Sequence, residues 1–308
     1  MKRNIKLKLL ALALMMFGAV LVNRGVAFAE TSTFWVSPMN QKVILTPGER
    51  YTGTLKVSNP NDATGAVYYS LSTSPYSAVG EDYDTDLSTE TNYTRMKDWI
   101  SFERDSGSVE PNETDIITFY IDVPEDAPAG GQYATILVRN DTSLSEDVGQ
   151  LNIASIMQIS SIIYATVAGD TVETGEILEN NIPSFITSTP LSVTSTVKST
   201  ANVHANAEYI LQVYPLFSDE EVYTNEEDPE TGLIMPETTR TKTVSWDKAP
   251  MVGIFKVKQT IKFLGEVSES EKIVVICPIW LMFVVIFAVI LAIIYLTAKS
   301  KGRKKSKR

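Results

Sequence analysis

The stretch Ile117-Thr118-Phe119-Tyr120-Ile121-Asp122-Val123 decides the fold, because apolar and polar side chains alternate along it. Successive side chains of a β-strand point to opposite faces, so this period of two predicts a strand with one buried face. The same alternation recurs at residues 51–58, 209–213 and 255–263. No comparably convincing amphipathic helix accompanies these strands. The pattern therefore predicts an all-β fold.

Turn-forming residues separate the predicted strands at regular intervals. Proline, glycine, asparagine and aspartate cluster between the alternating stretches, and these residues favour tight turns. The clusters occupy residues 46–49, 59–62, 110–113 and 127–131. Many short strands joined by such turns are typical of β-sandwiches. We predict two tandem Ig-like β-sandwich domains, the first over residues 30–158 and the second over residues 159–272.

The N-terminal residues 1–29 have the features of a secretory signal peptide. Four basic residues precede an apolar stretch, and Ala27-Phe28-Ala29 follows as a small-x-small cleavage pattern. Signal peptidase recognises this combination, so we expect the mature chain to begin at Glu30.

The C-terminal region combines an apolar segment with a basic one. No charged residue lies between Lys272 and Lys299, and seven of the last ten residues are lysine or arginine. This pattern predicts a transmembrane helix over residues 273–298 and a cytoplasmic tail over residues 299–308. The predicted localisation is therefore the cell membrane, as a single-pass type I protein with its β-sandwiches outside.

The charge of the chain is unevenly distributed. All 37 acidic residues lie between the leader and the apolar segment, which gives that region a net charge of −22 although the whole chain carries −10. A surface this acidic repels nucleic acid, so we expect no nucleic-acid partner. The single cysteine, Cys277, lies in the predicted span, so the two domains can contain no disulfide.

The residues on which most catalytic and metal sites depend are scarce. His204 is the only histidine of the chain, and the predicted β domains contain no cysteine. Cys–His and His-rich metal sites are thereby excluded, and a Ser–His–Asp triad would have one available base. We assign no catalytic, cofactor-binding or metal-binding residue and predict a protein that is not an enzyme. Paired carboxylates are abundant, and a membrane-tethered glycan hydrolase stays open on that ground.

Two charged patterns have both a functional and a structural interpretation. Asp82-Tyr83-Asp84-Thr85-Asp86 places carboxylates at alternate positions, as a calcium site would, but Leu87 and Tyr93 do not fit an EF-hand loop. The default interpretation is a solvated acidic loop. Lys256, Lys258 and Lys262 share one face of a predicted strand, where they form either a docking stripe for an anionic partner or a solvated lysine row.

The arrangement of the whole chain resembles a known family. The stretches Phe34-Trp35-Val36-Ser37-Pro38, Val123-Pro124-Glu125-Asp126-Ala127-Pro128 and Gly253-Ile254-Phe255-Lys256-Val257 look like those of the WxL-interacting proteins of Gram-positive bacteria. The resemblance implies that the first domain binds peptidoglycan and the second binds partner proteins, among them WxL-type wall proteins. It identifies no binding residue.

Two non-enzymatic functions follow from these observations. The first is a membrane-anchored cell-surface scaffold or adhesion protein that binds peptidoglycan or partner surface proteins. The second is an exported, chaperone-like assembly factor whose exposed strand edge caps surface proteins by strand addition.

Overall fold

The computed structural model describes residues 34–60, 65–140 and 157–305, with side chains as far as residue 294. The predicted leader, residues 1–29, lies outside them. In the first part of the chain the alternating residues form strands and one short 3-10 helix, η1 (Arg95–Asp98). The strands are β1 (Trp35–Ser37), β2 (Asn40–Leu45), β3 (Arg50–Ser58), β4 (Val67–Pro75), β5 (Ser77–Val79), β6 (Asp84–Asp86), β7 (Ile100–Phe102), β8 (Ser106–Val109), β9 (Thr114–Asp122), β10 (Gly130–Asn140) and β11 (Gln158–Val167).

Nine of these strands build two sheets that face each other across one core, and β5 and β6 pair as a separate hairpin. One sheet has the order β1-β3-β9-β7, and the other has the order β2-β11-β10-β4-β8. Strand β9 contains the stretch that predicted the fold, and its Ile117, Phe119 and Ile121 are all at most 1% exposed. Gly53 lies directly opposite Phe119, where a Cβ atom would come within 2.2 Å of the ring. The packing of this core therefore depends on the alternation and on a glycine across the sheet.

The chain crosses from one sheet to the other just after β1. Strand β1 pairs with β3 in the first sheet, whereas β2 runs parallel to β11 in the second. A cis peptide bond joins Ser37 to Pro38 at the crossing. The Pro38 carbonyl accepts a hydrogen bond from Ser161 Oγ at 2.7 Å, and the Met39 carbonyl accepts one from the Ile162 N–H at 2.9 Å. These bonds tie the crossing to β11.

The second part of the chain forms another sandwich. A three-stranded sheet has the order β12-β14-β18, and a larger sheet has the order β13-β20-β19-β15-β16 with β17 paired to β15. The strands are β12 (Gly175–Asn181), β13 (Phe185–Ile186), β14 (Leu191–Ser199), β15 (Ala205–Pro215), β16 (Tyr223–Thr224), β17 (Glu230–Ile234), β18 (Thr239–Trp246), β19 (Gly253–Phe263) and β20 (Glu266–Ile276). The all-β fold class with Ig-like sandwiches is confirmed.

Two separate cores divide the described strands. The first contains buried residues from Phe34 to Val167, and the second contains residues from Ile182 to Ile276. Strand β11 therefore packs with the first core, and we propose a domain boundary after Val167 in place of one at residue 158. The division into two domains otherwise stays a prediction.

The helix α1 (Ile279–Lys305) follows the second sandwich and corrects the predicted C-terminal region. Strand β20 continues through Ile276, so residues 273–276 belong to a sheet and not to a span. Cys277, which was predicted to lie in the span, donates its backbone N–H to the Ile186 carbonyl at 3.0 Å.

The predicted localisation is contradicted by this part of the structure. Among the residues that are described, no helix has both the length and the apolar character needed to cross a membrane. The transmembrane helix over residues 273–298 and the single-pass type I localisation are therefore wrong. The predicted cytoplasmic tail, residues 299–308, lies outside the described side chains.

Candidate functional site

The first half of β11 leaves one edge of its sheet open. In an antiparallel pair, the backbone groups of successive residues point alternately toward and away from the partner strand. The Met157 carbonyl accepts a hydrogen bond from the Asn140 N–H at 2.9 Å. The backbone N–H and C=O groups of residues 157, 159 and 161 therefore point toward β10. The N–H and C=O groups of Gln158 and Ser160 therefore point away from β10.

No described strand pairs with these outward groups. The parallel ladder between β2 and β11 begins only at Ile162, opposite Asn40. Within residues 34–60, 65–140 and 157–305, the backbone groups of Gln158 and Ser160 have no partner on this side. We call Gln158–Ser161 the β11 edge. An unpaired row of this kind is a template for one further strand.

Apolar side chains surround the β11 edge. Met157 and Ile159 are half-buried and pack against the first core. Nearby, Met39 is 65% exposed at the crossing between the sheets, and Trp35 is 66% exposed on β1. An extended segment beside β11 would cover part of this surface while pairing with the free backbone groups. The edge can therefore supply both hydrogen bonds and apolar burial.

A contact between the two sandwiches lies at the other end of β11. His204 comes just before β15, and its ring packs beside the rings of Tyr133 and Tyr164, with centroids 5.6 and 5.8 Å away. Its Nδ1 lies 3.2 Å from the Tyr133 hydroxyl oxygen. Burial, aided by the charge of Lys42, lowers the pKa of His204 to about 4. The only histidine of the sequence is thus a neutral interface residue, and no carboxylate of the described residues is hydrogen-bonded to it as a catalytic triad requires.

The same contact requires a glycine on the first sandwich. The Gly131 N–H donates to the Asn202 carbonyl at 2.7 Å. Gly130 has a φ of +109°, and a Cβ atom there would lie 2.4 Å from the Asn202 carbonyl oxygen. Only glycine combines this backbone conformation with so close an approach. Asn202 also accepts from the Val172 N–H and donates to the Asp170 carbonyl, so it joins the linker to both sandwiches.

The acidic string at residues 82–86 forms part of a hairpin. Strands β5 and β6 pair with each other, and Asp86 accepts hydrogen bonds from the backbone N–H groups of Ser88 and Thr89 and from the Ser88 hydroxyl. These bonds lower the pKa of Asp86 to about 2. Among the described residues no group of acidic, histidine or cysteine side chains could hold a metal. The calcium interpretation finds no support, and Tyr83 is not solvated, since it packs against the second core.

The lysine row on β19 is paired with acidic side chains. Lys258 lies 3.1 Å from Glu269, and Lys262 lies 3.6 Å from Glu208. Lys256 reaches Asp219 at 4.0 Å and lies over the Tyr214 ring at 5.1 Å. The row is therefore largely neutralised, which favours the structural interpretation over a docking stripe for an anionic partner.

Comparisons with known proteins give structural likenesses alone. No family model and no curated protein matches the chain. The class 5 fimbrial chaperone CfaA is 11% identical, with 80% of this chain and 100% of that chain covered and a TM-score of 0.38. The Escherichia coli chaperone DraB is 10% identical, with 78% and 96% covered and a TM-score of 0.37.

A third likeness bears on the hydrolase alternative. A family 123 glycoside hydrolase from Clostridium perfringens is 12% identical, with 42% of this chain and 22% of that chain covered and a TM-score of 0.28. Likenesses at these values carry no argument about activity, so the glycan hydrolase gains no support.

The resemblance to the WxL-interacting proteins is wrong. No family model matches the chain, and the similar solved structures include fimbrial chaperones. Two of the three short stretches that suggested it lie in ordinary strands, since residues 35–37 form β1 and residues 253–257 begin β19. The expectations of a Gram-positive origin and of peptidoglycan binding fall with it.

Proposed function

We propose that this protein is a chaperone-like assembly factor that holds an extended segment of an exported partner by strand addition at the β11 edge. The observation that carries the proposal is the pair of outward-facing backbone groups at Gln158 and Ser160. In strand addition the backbone bonds supply affinity, and pockets for alternate side chains supply selectivity. The half-buried Met157 and Ile159 would select a segment with apolar residues at alternate positions.

The chemistry of the partner follows from that of the edge. The outward groups are uncharged amides, and the adjoining apolar side chains lie on the core side of β11. An extended apolar segment of a surface-protein subunit fits such an edge better than an anionic polymer, which the net charge of the chain repels. One similar solved structure is described as a chaperone–tip adhesin complex, in which the partner of the chaperone is a tip adhesin. The proposal rests on the edge and needs no catalytic residue.

Photo-crosslinking in the cells that produce the protein tests the proposal. A benzophenone amino acid replaces the exposed Gln158 in the full chain, and irradiation is expected to link it to an exported protein. Ser160→Pro removes the outward N–H, while the bonds to β10 through residues 159 and 161 remain. Proline is tolerated in a strand where its missing N–H faces outward, so folding should persist. We expect the crosslink to fall by about tenfold, as the loss of roughly 1.4 kcal/mol of binding free energy would produce.

Ser108→Pro is the matched control. Ser108 lies on β8, at the opposite edge of the same sheet. The Asp105 carbonyl points toward β4, because it accepts a hydrogen bond from the Leu71 N–H, and the backbone N–H of Ser108, three residues later, therefore points outward. This variant should keep the full crosslink. Equal crosslinking in both proline variants would show that the partner contacts the Gln158 side chain without using the edge, and the proposal would then fail.

A further inference from the structure

The hairpin of β5 and β6 extends from the first sandwich, and the turn at its tip contacts the second. It follows β4 and turns through residues 80–83, where Gly80 has a φ of +69° and Tyr83 a φ of +64°. A bulky aromatic residue seldom adopts a positive φ, and such a conformation persists where surrounding contacts hold it in place. The contacts of Tyr83 therefore show what the hairpin tip does.

The Tyr83 side chain is held by the turn between β17 and β18. Its hydroxyl oxygen accepts a hydrogen bond from the Met235 N–H at 2.7 Å and is hydrogen-bonded to the Thr238 hydroxyl. The guanidinium of Arg240 lies 4.5 Å from the ring centroid, in a cation–π arrangement. Thr238 in turn donates to the Met235 carbonyl at 2.8 Å. One side chain of the first sandwich is thus anchored at three points of the second.

The neighbouring Glu81 attaches the hairpin to a strand edge. Its backbone carbonyl accepts from the Thr241 N–H at 2.8 Å, and its carboxylate accepts from the Thr241 hydroxyl at 3.0 Å. Thr241 lies on β18, an edge strand whose other side pairs with β14. The hairpin therefore takes the position that a further strand would have at this point of the edge.

The other contacts between the sandwiches, among the described residues, include those of Asn202 beside the linker, those of His204, and a side-chain hydrogen bond between Tyr93 and Glu237. Residues 168–174 join β11 to β12, and Asn202 binds both this linker and Gly131. Contacts close to a linker permit rotation of one domain against the other, as at a hinge. An attachment to a different strand of the second sandwich restricts that rotation. The Tyr83 hairpin supplies such an attachment, to β18 and to the turn before it.

We propose that the hairpin tip, residues 80–83, is a latch that holds the two sandwiches at one relative angle and lets the second turn about residues 168–174 when it is released. The latch does not involve the β11 edge, so the inference goes beyond the proposed function and stands without it.

Distance measurements between two spin labels test the latch in the full chain. Cys277→Ser removes the native thiol, and Glu103→Cys and Glu179→Cys place one label on an exposed position of each sandwich. Electron–electron double resonance should give a single narrow distance distribution. In Tyr83→Ala we expect its width to increase at least about twofold, because the hinge then moves freely.

Tyr120→Ala is the matched control for the loss of a tyrosine ring. Arg50 lies over the Tyr120 ring at 5.0 Å, but both residues lie on the first sandwich. This variant should keep the narrow distribution. A second variant replaces residues 80–83 with Asn-Gly, which closes a two-residue hairpin and removes the tip. Its distribution should be as broad as that of Tyr83→Ala. A narrow distribution in either latch variant would show that the other contacts between the sandwiches fix the angle and would overturn the inference.

Discussion

Two edge strands of this protein, β11 and β18, differ in whether the backbone groups on their outer side have hydrogen-bond partners. At the β11 edge the backbone groups of Gln158 and Ser160 point outward, and no described strand pairs with them. At the β18 edge the Thr241 N–H is already bonded to the Glu81 carbonyl of the hairpin. An unpaired edge attracts further strands, so proteins cover those that they do not use. The β18 edge is therefore covered by the chain itself at Thr241, whereas the β11 edge has no cover among the described residues, as the proposed strand addition requires.

The largest expected effect comes from placing proline at the covered edge. Thr241→Pro removes the N–H that binds Glu81 and puts a ring against the hairpin. We expect the free energy of unfolding to fall by about 2 kcal/mol. Ser160→Pro at the β11 edge should lower it by less than about 1 kcal/mol, because no bond is lost. Urea denaturation of both variants checks the difference, and equal losses would break the comparison.

Removing the ring of Tyr83 should have the next largest effect. Tyr83→Ala loses the contact with the second core, the cation–π contact and the bond to Met235. We expect the free energy of unfolding to fall by about 1.5 kcal/mol, measured as a lower Tm. Tyr83→Phe keeps the ring and should lose about 1 kcal/mol. If Tyr83→Ala and Tyr83→Phe lowered the free energy of unfolding equally, the hydrogen bonds of the hydroxyl alone would hold the hairpin.

Acid should weaken the contact at His204 and leave the β11 edge unaffected. The pKa of His204 is about 4 in the folded protein, below its ordinary 6.5, because the ring is buried. The unfolded chain therefore binds the proton first, and stability is lost as the pH falls from 6.5 toward 4. Since the ring is only partly buried, we expect the free energy of unfolding to fall by about 1 kcal/mol over this pH range.

His204→Gln isolates this contribution from that of the carboxylates. The variant should show a shallower fall in Tm between pH 6.5 and pH 4.5 than the parent protein. Crosslinking through Gln158 should be equal at both pH values when folding is complete. Parallel Tm curves for variant and parent would mean that the contact does not sense the proton.

The smallest effect is expected on β19, which has no free edge. Strands β15 and β20 pair with its two sides. Lys258→Ala removes an exposed ion pair with Glu269, and such pairs contribute little in water. We expect a change of at most about 0.5 kcal/mol in thermal unfolding. A loss above 1 kcal/mol would mean that the lysine row is structurally important.

Local patterns predicted the strands well but could not predict which edges stay open. The alternation at residues 117–123 identified β9 because burial follows directly from a period of two. The openness of β11 depends on where β2 begins, and Asn40 and Ile162 are far apart in the sequence. The string at residues 82–86 looked like a solvated loop because Thr238, the partner of Tyr83, lies 155 residues away. Local composition carries no signal for such a contact.

The end of the second sandwich also depends on a contact that local composition does not reveal. Residues 273–276 are apolar and adjoin an apolar helix, so composition merged them with it. Their place in the sheet depends on pairing with β19, where Val275 lies opposite Ile254. The alternation in β20 is weak because several acidic residues interrupt it.

Hydrogen exchange of individual backbone amides tests the comparison of the two edges most directly. Amides without a hydrogen-bond partner exchange through small local fluctuations, whereas bonded ones require a larger opening. In the free protein, the amides of Gln158 and Ser160 should exchange on the order of 100-fold faster than those of Ile159, Ser161 and Thr241. Exchange of Gln158 and Ser160 as slow as that of Ile159 would show that the β11 edge is already covered and would contradict the account.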